Sequence, residues 1–355
     1  MLALASTLAP AAVPTFIGQN LAGSQLDVDS SALPPDSNGT IGPNHFVEFI
    51  NGRFSVYNKT NGTRVKTLTD AAFWGALGIT LPTNYDLTDP RLVYDPTVQR
   101  WFAVEIDFDA SGAQNTNRFL LAVSATSDPT GLWRGVAFLS DPGGSLFADF
   151  PGLGVDADGV YLSGDYYNGS SQAVRPVLVS LPKADLLANP PSAARRKFFS
   201  NLTYAANGVI LQPAVCVDGS ASGAVLAVSD LGNDFAPHTT LKGLFITNAT
   251  TAAPALTPVQ TLTVPAYTIP INPPQPGNLT TLDDGDTRFS AATRVVNGVL
   301  YAVHNVEVNT RAALRWYRVN ATNFNVIESG TITDPVLDLF YPSIAANATG
   351  TIVIG

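Results

Sequence analysis

Five segments of this chain repeat one pattern, and such a repeat constrains the fold more than any other feature of the sequence. The unit is usually an Asp, then a Pro or small residue, an apolar-alternating strand, a turn closing on Gly or Arg, and a second strand. Its copies are DPRLVYDPTVQRWFAVEI from Asp89, DFPGLGVDADGVYLSGDYY from Asp149 and LQPAVCVDGSASGAVLAVSD from Leu211. DTRFSAATRVVNGVLYAVHNV from Asp286 and DLFYPSIAANATGTIVIG from Asp338 complete the series. With Pro90, Pro151, Pro213, Ser290 and Pro342 taken as equivalent, the intervals are 61, 62, 77 and 52 residues. The long interval carries YTIPINPPQPGN, a surface loop, because proline cannot join a central strand. The hairpin from Asn44 to Asn58 reads as a sixth, divergent copy, with Asn51-Gly52 supplying the two positive φ angles of a type I′ turn.

Outer strands follow the inner hairpins: RFLLAVSAT with GLWRGVAF, then RPVLVSLP, LKGLFITN and LRWYRVNAT. A four-stranded unit at this spacing is what a β-propeller blade requires. Only DAAFWGALG, with Asp70 as N-cap, and KADLLAN read as helix, each a short surface connector. The expected fold is all-β, a β-propeller with six visible blades. The chain stops at TIVIG, in the second strand of its last copy, and an unpaired half-blade would expose strand edges. We therefore expect a truncated portion of a seven-bladed propeller, or missing strands supplied by N-terminal residues such as AVPTFIG. Residues 1–30 form an apolar lead-in and residues 31–355 the propeller.

Composition narrows the setting. Only 13% of residues are charged, with 29 Gly and 26 Pro, which suits a turn-rich β domain. A net charge of −9 argues against a nucleic-acid partner, which would need a basic footprint. No apolar run reaches the roughly 18 residues of a membrane span. Asn-x-Ser/Thr sequons occur at Asn38, Asn58, Asn61, Asn168, Asn201, Asn248, Asn278, Asn320 and Asn347. Chance gives roughly four by the motif definition, so the excess points to N-glycosylation and a secreted or cell-surface location. The opening MLALASTLAPAAVPTF has the small apolar character of a signal-peptide end but no positive n-region. The single Cys, Cys216, lies in an apolar run and reads as a buried small hydrophobe.

SATSDPTGLWRG resembles the Asp-box turn of sialidase-like propellers, with Asp128 and Trp133 at the usual offset and the Gly displaced by one. There the Asp ties down turn amides and the Trp wedges between blades. PPDSNGTIGPNHFVEFINGRFSVYNKTNG, the Asp89 and Asp149 copies, TLDDGDTRFSAATRVVNGVLYAVHN, LRWYRVN and YPSIAANATG continue one ordered series. Together they are similar to a group of largely uncharacterised secreted β-propeller proteins of sialidase-like architecture. The resemblance runs from about Ser31 to the C-terminus and implies fold, not activity.

In a propeller, residues at equivalent blade positions converge on one face. Asp89, Asp149, Asp286 and Asp338 hold the entry position, with Arg91 and Arg288 two residues beyond. Such a ring could bind a cation or sugar hydroxyls, or each Asp could simply cap its own turn. Asp89, Asp149 and Asp286 are the catalytic candidates of a glycosidase, which needs two carboxylates across a sugar-sized cleft. DPRLVYD resembles the blade openings of five-bladed arabinanase-like glycosidases. With four Glu and no F-R-I-P-like segment, sialidase chemistry is disfavoured. Asp107, Asp109 and Ser111 in DFDASG have the oxygen spacing of a calcium loop, although position twelve is Arg118. DVDSS and DADG are weaker versions. His304 could point into the axial channel, and Tyr166 and Tyr167 could stack on sugar rings.

Two functions therefore stand before the structure. The first is an extracellular, non-catalytic binding, adhesion or self-assembly module engaging a glycan or a protein. The second is a carbohydrate-active hydrolase using the axial Asp and Arg residues.

Overall fold

The computed structural model describes residues 18–112, 116–229, 235–251, 253–277 and 280–355. It is an all-β propeller with five complete sheets, each running outward from a central hub. Blade one comprises β1 (Asn38–Ile41), β2 (His45–Ile50), β3 (Arg53–Asn58) and β4 (Arg64–Leu68), followed by α1 (Asp70–Ala76). Blade two comprises β5 (Tyr85–Asp95), β6 (Arg100–Asp109), β7 (Arg118–Ser124) and β8 (Trp133–Leu139). Blade three is β9 (Phe147–Val155), β10 (Gly159–Tyr167), β11 (Ala173–Pro182) and β12 (Lys197–Phe199), with α2 (Lys183–Leu187) inserted before β12. After α3 (Tyr204–Asn207), blade four has β13 (Val209–Pro213), then β14 (Val215–Cys216), which pairs into the sheet of blade five, and β15 (Ala224–Val228), β16 (His238–Thr247), β17 (Ala255–Leu256) and β18 (Gln260–Tyr267). Blade five has β19 (Arg294–Val296), β20 (Val299–Val308), β21 (Arg311–Asn320) and β22 (Val326–Ile332). The last repeat copy is a two-stranded hairpin, β23 (Ile344–Ala346) and β24 (Ile352–Ile354).

Neighbouring strands within each blade pair antiparallel. The first strands of successive blades touch in chain order: β1 on β5, β5 on β9, β9 on β13, and β19 on β23. Blades four and five are joined at the hub by a parallel bridge from Val215 to Arg294. This rotational stacking is what the repeat predicted.

Core packing lies between blades because alternate side chains of each strand face opposite neighbours. Val47, Phe49, Phe54 and Val56 of blade one meet Trp101, Leu120 and Trp133 of blade two. Trp133 sits 5.3 Å from Phe73 and 5.8 Å from Phe54, edge to face in both pairs. Such aromatic contacts are worth about 0.5–1.5 kcal/mol each beyond area burial. Asp128 Oδ1 accepts from the Thr130 amide and hydroxyl at 2.9 and 2.7 Å, fixing the turn that presents this wedge.

Several expectations are corrected. Among the described residues five blades are complete, and the last repeat copy is the two-stranded terminal hairpin. The Asn44–Asn58 hairpin is not the inner half of blade one but its second and third strands, since β1 precedes it. Its turn takes positive φ at Gly52 and not at Asn51, whose side chain is engaged elsewhere. Thr69, not Asp70, caps α1, and α1 is no surface connector, since Phe73 and Trp74 are buried between blades one and two. The opening segment 1–17 lies outside the described residues.

Candidate functional site

One backbone feature recurs on the entry face. Asp36, Asp89, Phe150 and Tyr341 have φ of 46°, 61°, 53° and 50°, each directly ahead of Ser37, Pro90, Pro151 or Pro342. A left-handed φ is uncommon outside glycine, and for a bulky residue it persists only where the surroundings impose it. At Asp89 and Phe150 it falls inside β5 and β9, where the pairing register shifts. Phe150, not Asp149, therefore takes the place of Asp89 in blade three, so the equivalence read from sequence is one residue off.

The offset still brings carboxyls together. The Phe150 amide donates to Asp149 Oδ1 at 2.9 Å and to Asp89 Oδ2 at 3.2 Å. Asn51 extends the row into blade one: its Nδ2 donates to Asp36 Oδ2 at 2.9 Å, and its Oδ1 accepts the Asp89 amide at 2.8 Å. Burial, reinforced by neighbouring Asp89, pushes Asp36 up to about 7 against the pull of Asn51 and Arg91. Burial and Asp89 likewise push Asp149 up to about 6, opposed by the Phe150 amide and Arg288. Asp165 lies opposite Asp149 in the β9–β10 register and is buried, with Oδ1 unpartnered. Burial raises it to about 7 despite Arg288, with Asp149 adding to the rise. Carboxyls of blades one and three thus hold protons near neutrality.

The Phe150 ring lies between two guanidinium groups, Arg91 at 5.0 Å and Arg288 at 4.8 Å from its centroid. Arg288 grips Asp286 with both ends of its fork, at 2.8 and 2.6 Å. Burial would lower the Arg288 pKa, but Asp286 holds it above the ordinary value. Phe150, Asp283, Gly285, Asp286, Arg288 and Tyr341 line a polar cavity of about 280 Å³. Asp284 is buried with both carboxylate oxygens unpartnered, and burial raises it to about 6.

Other expected site residues fall elsewhere. Asp338 accepts from Arg311 at 2.9 Å and from the Ala312 amide at 3.0 Å, bracing the start of β21. His304 is fully buried between the Thr287 carbonyl and the Tyr317 hydroxyl, at 2.6 and 3.0 Å. Burial lowers it to about 4, so it is a packed core histidine and not an axial ligand. Asp107, Asp109 and Ser111 do not form a calcium loop: Asp107 is buried on β6 against Arg118 at 2.6 Å, while Asp109 accepts the Ser111 amide at 2.9 Å. Asp29 is similarly spent on Arg64, and Asp156 on the Gly159 amide and Tyr161 hydroxyl. Among the described residues no three His, Cys, Asp or Glu side chains are placed to hold a metal ion. Tyr166 is buried, with its hydroxyl on the Ser140 carbonyl, and cannot stack on a ligand.

Sequence reasoning missed Asp36, Asn51, Asp165 and Asp284. Asp36-Ser37 could have been found by aligning it with Asp89-Pro90. Asp165 carries a different signal, an Asp inside an otherwise buried strand.

The sequon asparagines have a shared local role. Asn58, Asn61, Asn168, Asn320 and Asn347 each accept, through Oδ1, the amide two residues on, at 2.8–3.0 Å. Asn278 lies outside the described residues.

No family model and no curated protein matches this sequence. Among solved structures, a GH43 endo-arabinanase from Bacillus licheniformis is 16% identical, covering 89% of this chain and 96% of its own, with a TM-score of 0.36. An exo-β-1,3-galactanase from Phanerochaete chrysosporium is 12% identical over 90% of this chain and 66% of its own, TM-score 0.43. An ACO/RPE65 chimera is also 12% identical over 90% of this chain and 65% of its own, TM-score 0.44.

Proposed function

We propose that this protein is a carbohydrate-active hydrolase whose acid–base groups are the entry-face carboxyls Asp89, Asp149 and Asp165. The observation that carries the reading is the Asp89–Asp149 pair on one amide, set beside the Arg288–Asp286 ion pair. A carboxyl raised to about 6 or 7 can keep its proton until it is delivered to a departing glycosidic oxygen. A second carboxylate serves as base or nucleophile. The cavity matches a sugar ring in chemistry: Asp283 and Asp286 accept from hydroxyls, Arg288 donates, and Tyr341 offers a partly exposed aromatic face.

The chain then belongs outside the cell, where polysaccharide is met, and its exposed sequons at Asn61, Asn201, Asn248 and Asn347 are candidates for glycans. The terminal hairpin is read as the inner half of a sixth blade. A second reading, a non-catalytic glycan-binding module, is favoured by Phe150, whose stacking between two arginines closes part of the face.

The test is a hydrolysis screen over aryl glycosides and insoluble polysaccharides, with Asp149→Asn and Asp89→Asn made in parallel. We expect turnover that falls 10²- to 10⁴-fold in either variant, the usual loss for a general acid or base. Glycan binding without turnover by the wild-type protein would favour the module.

A further inference from the structure

The cavity beside Phe150 holds more acid than base. Asp283, Gly285 and Asp286 reach it from the segment before β19, and Tyr341 from the segment before β23. Asn305 of β20 ties the two segments together. Its Nδ2 donates to the Asp284 carbonyl, and its Oδ1 accepts the Tyr341 amide at 3.0 Å. Gly285 has φ 74°, and a Cβ there would stand 3.0 Å from the Tyr341 hydroxyl, so the segments also meet in close contact. The walls are therefore built before a ligand arrives, which spares the cost of ordering them on binding.

Each carboxylate can be matched against its cation. Asp286 has Arg288, and Asp338 has Arg311. Asp283 accepts the Gly285 amide at 2.8 Å and meets no cation among the described residues. Asp284 is fully buried, and neither of its carboxylate oxygens has a partner. Burial first, then the charges of Asp283, Asp338 and Asp286, raise Asp284 to about 6, so the four carboxyls act on one another. Two of them stand without a counter-charge at a cavity of about 280 Å³.

A neutral sugar leaves both uncompensated, and an acidic sugar adds a third negative charge. A protonated amine offsets them, and the attraction is stronger in a partly buried site than in water. The Tyr341 ring, about half exposed, offers a face on which a cation is also favoured. We propose that this cavity takes a sugar residue bearing a protonated amine, as in a de-N-acetylated amino-sugar polysaccharide. The inference rests on the reading of the cavity as a sugar site and adds its substrate class; it does not require hydrolysis.

The probes are an oligosaccharide of glucosamine and its fully N-acetylated counterpart of equal length, titrated calorimetrically at a pH that keeps the amine charged. The amine form should bind about tenfold more tightly or better, and sodium chloride should erode that preference by screening the charges. Asp283→Asn removes an exposed charge without touching the core and should cut the preference about threefold. Asp284→Asn, close to isosteric, should cut it from the buried side. Equal affinity for the two probes, tighter binding of the acetylated form, or no binding of either overturns the proposal. So does a preference unchanged in both variants. An amine preference without turnover of any glycan would overturn the hydrolase reading alone. Turnover of neutral glycans with equal affinity for the probes would overturn this inference alone.

Discussion

Asp89 and Asp149 stand sixty residues apart in the chain and accept hydrogen bonds from the same Phe150 amide, at 3.2 and 2.9 Å. One N–H cannot satisfy two carboxylates. The remaining charge must be relieved by protons or by Arg91 and Arg288, which flank Phe150. Burial first, and the mutual repulsion of Asp89 and Asp149 second, push the Asp149 carboxyl above the range of ordinary surface aspartates, against the pull of the Phe150 amide.

Stability should therefore fall as pH rises across the neutral range. A carboxyl whose folded pKa exceeds its unfolded value binds more protons when folded, so its contribution is present at low pH and is lost on passing the folded pKa. For Asp165 the loss runs from near 4 to about 7, with Asp149, Arg288, Tyr204 and Tyr167 facing it. His304 has the opposite sign, its lowered pKa of about 4 adding stability as pH rises toward 6.5. Asp165→Asn should gain on wild type between pH 5 and pH 8 in thermal melts. A constant offset between the two curves would refute the assignment.

Phe150 separates backbone strain from ring stacking. At φ 53° a side chain costs about 1–2 kcal/mol that glycine does not incur. Both Phe150→Gly and Phe150→Ala lose the contacts with Arg91 and Arg288, but the glycine variant should be more stable by about 1 kcal/mol, against the usual advantage of alanine. Urea unfolding of the pair measures the difference, and alanine being the more stable would show the φ is not imposed.

Lys183 and Asp95 form a buried ion pair at 2.8 Å that ties α2 of blade three to the inner turn of blade two. Lys183→Met should destabilise by about 3–5 kcal/mol because it strands a buried carboxylate. The double variant with Asp95→Leu should recover much of that loss. Additive losses in denaturant titrations would argue against coupling.

The sequon at Asn320 accepts from both the Thr322 amide and hydroxyl, at 2.9 and 2.8 Å. Aspartate builds the same turn at Asp95, Asp128 and Asp218. Asn320→Asp should thus leave Tm within about a degree of wild type, while Asn320→Ala should cost about 1 kcal/mol for the lost bonds. Equal losses would mean the turn does not depend on this acceptor. The sequon excess has this turn as one physical source, independent of glycan attachment.

Much of the wheel was legible from sequence because blades are local objects. Alternation at period two, turn residues and the Trp133 wedge act within some fifty residues, so DPRLVYDPTVQRWFAVEI announces β5 and β6 almost whole. Less of the site was readable. Asp338 matched the repeat, yet it is spent on nearby Arg311, and His304 vanished into a core that no local pattern reveals.

The sequence by itself determined the repeat, the strand faces and the ring-like order of the blades, since hydrophobic periodicity needs only neighbours along the chain. Tertiary structure decided which carboxyls share a donor, that Phe150 and not Asp149 occupies the left-handed position, and that Asp36 and Asn51 join the row. The physical reason is that a one-residue offset in a strand reverses where a side chain points, and only the stacking of one blade on the next fixes that offset.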